Sequence, residues 1–132
     1  MYKAILCFML MLPIASDAIE APSVEAAAAL DIATTAIGLQ NGARELNPIG
    51  FAGTTAVKLL IIPYINSIED EEKRKDSQNF LSSMLTGASV NNVLAIFGVS
   101  PVISLTSGYM MYKHLRKGKE NVPIQSESAK GS

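Results

Sequence analysis

Eight polar side chains interrupt the apolar stretches of this chain or sit in the turn that joins two of them: Asp31, Thr34, Thr35, Glu45, Asn47, Lys58, Asn91 and Asn92. Carboxylates, hydroxyls, amides and an ammonium in such places support three kinds of chemistry. They glue helices together, they offer oxygens to a proton, an ion or a metal, or they form a recognition surface. Asp31 and Lys58 are the central pair. Asp31 lies ten residues before Asn41, and Lys58 lies ten after Pro48. If the segments 22–40 and 48–66 fold as an antiparallel helical hairpin, both sit about 15 Å from the turn at 1.5 Å rise per residue. A lone charge at mid-membrane depth costs at least ~2.5–3.5 kcal/mol on insertion scales; opposite charges at one depth can pair. Asp31, Thr34 and Thr35 fall at i, i+3 and i+4 and share one helical face. Thr hydroxyls also bond back to their own helix. Counted along the chain, Asn91 and Asn92 are expected nearer the 41–48 turn, forming a second layer with Glu45 and Asn47.

Catalytic patterns are scarce. The single histidine, His114, leaves no two-histidine zinc motif. There is no Gly-x-Ser-x-Gly elbow and no phosphate-binding loop ending in Gly-Lys-Ser/Thr. Asp31 and Glu45 flank a helix end, about 20 Å apart by helical rise, which is poor spacing for a general acid and base. The residues therefore read as non-enzymatic, with no cofactor or resident metal implied.

The elements that must position this set follow from patterning. The chain has 132 residues and a net charge of -1, which fits one domain and gives no basic excess for nucleic acid. Residues 77–112 carry no Asp, Glu, Lys, Arg or His, whereas residues 69–76 are all charged. Such blocks favour a membrane protein over a soluble helical bundle. Met1-Tyr2-Lys3, the apolar run from Ala4 to Leu12, Pro13 and the small residues Ser16 and Ala18 resemble a secretory signal cleaved after Ala18; an uncleaved anchor is the alternative. Cys7, the single cysteine, forms no internal disulfide.

Ser23 is the expected cap of the first helix and Gly42 its terminating glycine. Gly38 and Gly42 also match a small-x3-small packing pattern. Asn47-Pro48 is expected to open the second helix and Pro63 to kink its far end. Ser67 to Asp70 looks like a capping box for the third helix, followed by i,i+4 pairs Glu69/Lys73, Asp70/Arg74 and Glu71/Lys75. The uncharged stretch would span about 54 Å as one straight helix, so a break is expected at Gly98 to Pro101. A shorter fourth helix should follow to about Leu115, re-entrant or interfacial because the positive-inside rule disfavours a fourth full crossing. Lys113, Arg116, Lys117 and Lys119 form a basic collar suited to anionic lipid headgroups.

The succession Asp31-x-x-Thr34-Thr35, Gly42-x-x-Glu45-x-Asn47-Pro48, Lys58 and Asn91 resembles a family of small polytopic membrane proteins of bacteria, archaea and phages whose function is uncharacterised. The resemblance covers about Leu30 to Phe97. It implies a membrane helix bundle and a phage origin for many members, and it brings no reaction, ligand or catalytic residue.

The expected architecture is thus an all-α bundle of three to four transmembrane helices. Residues 1–18 are a signal or anchor, 19–117 the bundle, and 118–132 a disordered polar tail. The expected role is structural or partner-binding in the bacterial inner membrane, or in the host membrane if phage-encoded. The bilayer and a second copy or a membrane protein are the expected partners. Two alternatives stand beside it. One is a holin-like permeabilising lysis protein; the other is an ion- or metal-handling subunit using Asp31 and Glu45.

Overall fold

In a computed structural model, residues 21–43 and 48–120 are described, with side chains through Lys117. The signal-like segment, Glu45, Asn47 and residues 121–132 lie outside them. The described residues form four α-helices and no strand: α1 Val24–Gln40, α2 Gly50–Asn66, α3 Glu71–Ile96 and α4 Pro101–Glu120.

Local chemistry sets the helix ends. Ser23 caps α1 by accepting the Ala26 N–H at 3.2 Å. At the other end Gly42 takes φ +86°. Its N–H reaches the Leu39 carbonyl at 3.0 Å, and the Ala43 N–H reaches that of Gly38 at 2.9 Å. This is a Schellman ending, which needs a left-handed residue that glycine supplies without strain. Gly42 thus ends a helix rather than packing one against another. Gly98, φ +73°, ends α3 the same way.

Three boundaries differ from expectation. α2 starts at Gly50 rather than Pro48, because Pro48 and Ile49 complete a turn in which Gly50 has φ +65°. Ser67 donates to the Tyr64 carbonyl at 2.7 Å and so closes α2. The cap of α3 is Asp70, which accepts the Lys73 N–H at 3.1 Å. That bond, followed by the Lys73 ammonium, holds the Asp70 carboxyl below its ordinary value. Of the expected i,i+4 pairs, Glu71–Lys75 forms at 2.6 Å. Lys73 turns to Asp70, and Arg74 donates to the Ile68 carbonyl. α4 is 20 residues long and continues past Leu115. Residues 118–120, expected to begin a disordered tail, are helical, since basic residues suit the negative end of a helix dipole.

Contacts fix the register. α1 and α2 run antiparallel, joined by Glu25–Asn66 and Asp31–Lys58. α1 and α3 run parallel, with Ser82 donating to the Pro22 carbonyl, Asn92 to Asp31, and Ile96 beside Gly38. α3 and α4 run antiparallel, with Asp76 on Arg116, Phe80 against Tyr112, and Gly87 against Gly108. α3 is therefore central. One end of the bundle gathers Glu25, Asn66, Gln78, Asp76 and Arg116; the other carries the 41–49 and 97–100 connections.

Among the described residues, Ser83, Ser89 and Ser104 are buried alongside Leu81, Leu85, Leu94 and Leu115, while Leu60 is 75% and Val102 76% exposed. An apolar cluster of Val24, Ala27, Ala28, Ile65, Leu81 and Leu85 fills the polar end. Ser89 bonds back to the Leu85 carbonyl at 2.9 Å, so its hydroxyl is satisfied within its own helix.

Among the described residues, no helix is long and apolar enough to cross a membrane. α1 and α2 have 17 residues each, about 25 Å by helical rise against ~30 Å of hydrocarbon. α3 is longer, but its first six residues are charged and it carries Asn91 and Asn92. The last turns of α4 are basic. The stretches expected as full spans thus lose length to their caps and apolar character to the polar set.

A Cβ on Gly87 would stand 2.5 Å from the Gly108 carbonyl oxygen, and a Cβ on Gly108 equally close to that of Gly87. The obstacle is backbone, so no rotamer relieves it. Gly87→Ala or Gly108→Ala should push α3 and α4 apart and destabilise by about 1–3 kcal/mol. Thermal unfolding monitored by circular dichroism checks this, and an unchanged midpoint would contradict the contact.

Candidate functional site

Midway along α1 and α2, Asp31 and Lys58 meet. α1 offers its face because Ala27, Ala28, Asp31, Thr34 and Gly38 recur at helical spacing and are all buried. Lys58 Nζ donates to Asp31 Oδ2. The Asp31 side chain is 6% exposed and that of Lys58 18%. The long lysine stem lets the ammonium reach inward from a more open helix.

The other carboxylate oxygen belongs to α3. Asn92 Nδ2 donates to Asp31 Oδ1 at 3.2 Å, to Thr35 Oγ1 at 2.9 Å and to Thr34 Oγ1 at 3.3 Å. Thr34 donates its own proton to the Asp31 carbonyl at 3.2 Å. The back-bonding expected of the threonines holds for Thr34, and both also accept from Asn92. Five of the eight residues therefore form one cluster that touches three helices.

The expected second layer does not include Asn92. α3 lies along α1 in parallel register, so Asn92 comes level with Asp31 instead of the turn. Asn91, one residue away and about 100° round the helix, faces α4, where its Cβ lies 3.2 Å from a Cβ built on Gly108. It lines two cavities. One, of about 460 Å³, lies among Thr35, Gly38, Ile96 and Ser104; the other, of about 390 Å³, lies between α3 and α4.

The basic collar is partly engaged. Arg116 reaches Asp76 at 2.9 Å and lies 5.7 Å from the Phe80 ring centre. Lys113 sits 5.6 Å over the Tyr109 ring. Lys117 follows one turn later, and the side chain of Lys119 lies outside the described residues.

The chemistry open to the central cluster follows from its charge. Lys58 occupies one carboxylate oxygen and Asn92 the other, so Asp31 is neutralised and hydrogen-bonded on both. A cation would have to displace the ammonium. Among the described residues, no three His, Cys, Asp or Glu side chains gather as a metal site. Comparisons with family models, curated proteins and solved structures find no match to this chain. Sequence reasoning missed the Gly87–Gly108 contact and the aromatic group of Phe80, Tyr109 and Tyr112 around it. Glycines inside uncharged helical stretches were the available signal.

Asp31→Asn or Lys58→Met alone leaves one buried charge unpaired and should destabilise by about 3–5 kcal/mol. The double variant should regain most of that loss in unfolding experiments; a strictly additive double variant would refute the pair. Asn92→Ala removes the amide shared by Asp31 and Thr35 and should lower stability by about 1 kcal/mol. The same measurement on Asn91→Ala should show a smaller change.

Proposed function

We propose that this chain is a small, non-enzymatic integral membrane protein with a structural or partner-binding role. The observation that carries the reading is the large apolar surface on the outside of a bundle that also buries polar side chains. Serines, a threonine and an aspartate are buried, while Leu59, Leu60, Tyr64, Val102, Leu105 and Met110 are each more than half exposed. Soluble monomers rarely leave so much large apolar surface open. In lipid the same face costs nothing, and small residues let helices approach and lock by packing and hydrogen bonds. Helices of about 25 Å fit a bilayer that thins locally, at fractions of a kcal/mol per Å of mismatch.

The neutralised Asp31–Lys58–Asn92 cluster supports a structural role in preference to ion or metal handling. It ties α1, α2 and α3 at mid-depth without an open coordination position. Lysine and arginine counts support an orientation. Lys73, Arg74, Lys75, Lys113, Arg116 and Lys117 belong to the end where α1 begins, whereas the connection between α1 and α2 carries Arg44 alone. The positive-inside rule makes that end cytoplasmic. Export by a cleaved signal would give the reverse.

The expressed chain should stay with membranes through carbonate washing and come out only with detergent. A single cysteine at Asn41, in a Cys7→Ser background, should react with an impermeant thiol reagent from outside, and one at Gly118 should not. Release into the supernatant without detergent would refute the membrane reading. The opposite labelling would refute the orientation alone.

A further inference from the structure

Asn91 differs from the rest of the polar set: among the described residues its side-chain amide has no hydrogen-bond partner. The residue is half-buried on α3. It lines both the cavity of about 390 Å³ between α3 and α4 and the cavity of about 460 Å³ beside Thr35 and Ser104. Its depth is fixed, because the next residue, Asn92, bonds Asp31 at the middle of the bundle. On the membrane reading, N–H donors and a carbonyl acceptor therefore stand about half-way across the hydrocarbon layer. Hydrocarbon gives them nothing to bond, and an unmet amide is costly there.

Depth and charge select the partner. Phospholipid ester and phosphate groups lie at the edge of the ~30 Å hydrocarbon layer, about 15 Å from its middle. None of the described residues lining either cavity is charged, so the surface suits a neutral polar group. A second copy of this chain in parallel orientation carries such a group at the same depth. An amide is also self-complementary, since it donates and accepts at once. Two copies related by a twofold axis along the membrane normal can thus join Asn91 to Asn91 reciprocally. The surrounding face is large enough. From Phe80 to Ile96, α3 runs for about 24 Å, and α3 with α4 beside it is about 20 Å across. Each copy offers roughly 500 Å² and a pair about 1,000 Å², the size at which specific interfaces begin. Phe80, Met84, Leu105 and Tyr109, all exposed in the single chain, belong to this face.

We propose that this chain forms a parallel homodimer through the α3–α4 face, with Asn91 of each copy bonded to Asn91 of the other. The inference rests on the membrane reading above and deepens its partner-binding role, since it names the partner as a second copy. The hydrogen-bonding capacity of Asn91 is met only when that copy is present. Asn91→Ala removes no hydrogen bond within the single chain and acts on the pair alone.

The test uses the full chain purified in neutral detergent, with self-association measured by sedimentation equilibrium over a range of protein-to-detergent ratios. The unaltered chain should be dimeric at high ratio. Asn91→Ala should weaken the dimer by about tenfold, at unchanged helix content by circular dichroism. In membranes and a Cys7→Ser background, a short bismaleimide should link copies through Ala88→Cys, one turn from Asn91 on the same face, and not through Leu60→Cys on the outer face of α2. A chain monomeric at every ratio, with or without a retained lipid, would overturn the proposal. So would an Asn91→Ala dimer of undiminished strength, or linkage through Leu60→Cys as ready as through Ala88→Cys. Each of these leaves the membrane reading standing, whereas a chain that needs no detergent removes both.

Discussion

An ion pair midway along two short helices organises this protein. Asp31 would be costly to bury alone in any apolar surrounding, and Lys58 answers it from the antiparallel neighbour. The second oxygen of the same carboxylate then recruits Asn92 from α3. One side chain thus fixes the height of two helices against a third. Apolar packing would not do this as well, because the buried neighbours of Asp31 on its own helix are Ala27, Ala28, Thr34 and Gly38, whose small surfaces interlock at many heights. Hydrogen bonds are directional and saturable, so they specify register where small side chains leave it loose.

The same economy governs the other half of the bundle. α3 and α4 meet through Gly87 and Gly108 with backbones in contact. Close approach strengthens dispersion between main chains, while Met84, Leu105 and Tyr109 beside it stay exposed. A polar seam joins α1 to α3 and a small-residue seam joins α3 to α4. Both leave leucine, valine and methionine facing outward.

Much of this architecture was legible in the chain. Matched distances from the turn brought Asp31 and Lys58 together because helical rise is nearly invariant. Gly42 and Gly98 announced helix ends because their conformation is one that other residues resist. Helix ends governed by competing polar residues were harder. Ser67 and Asp70 both suit a cap, and which helix each serves depends on the angle of the intervening turn. Asn91 and Asn92 could not be assigned to separate neighbours either. That choice depends on the rotation of α3 about its axis, which the tertiary partners set. The glycine crossing lay in an uncharged stretch with no polar periodicity to mark a face.

The parallel run of α1 beside α3 bears on the order of assembly. α3 and α4 are joined by a connection of a few residues, so their crossing closes a short loop. Contact between α1 and α3 must enclose the whole of α2 and its two connections, and loop-closure entropy rises with that length. The α1–α2 and α3–α4 hairpins each close shorter loops than the contact of Asp31 with Asn92, which joins the two. Contacts that close the longest loops govern how fast a fold comes apart more than how fast it forms when they form last, which gives the Asp31–Asn92 bond the place of a latch between the two hairpins.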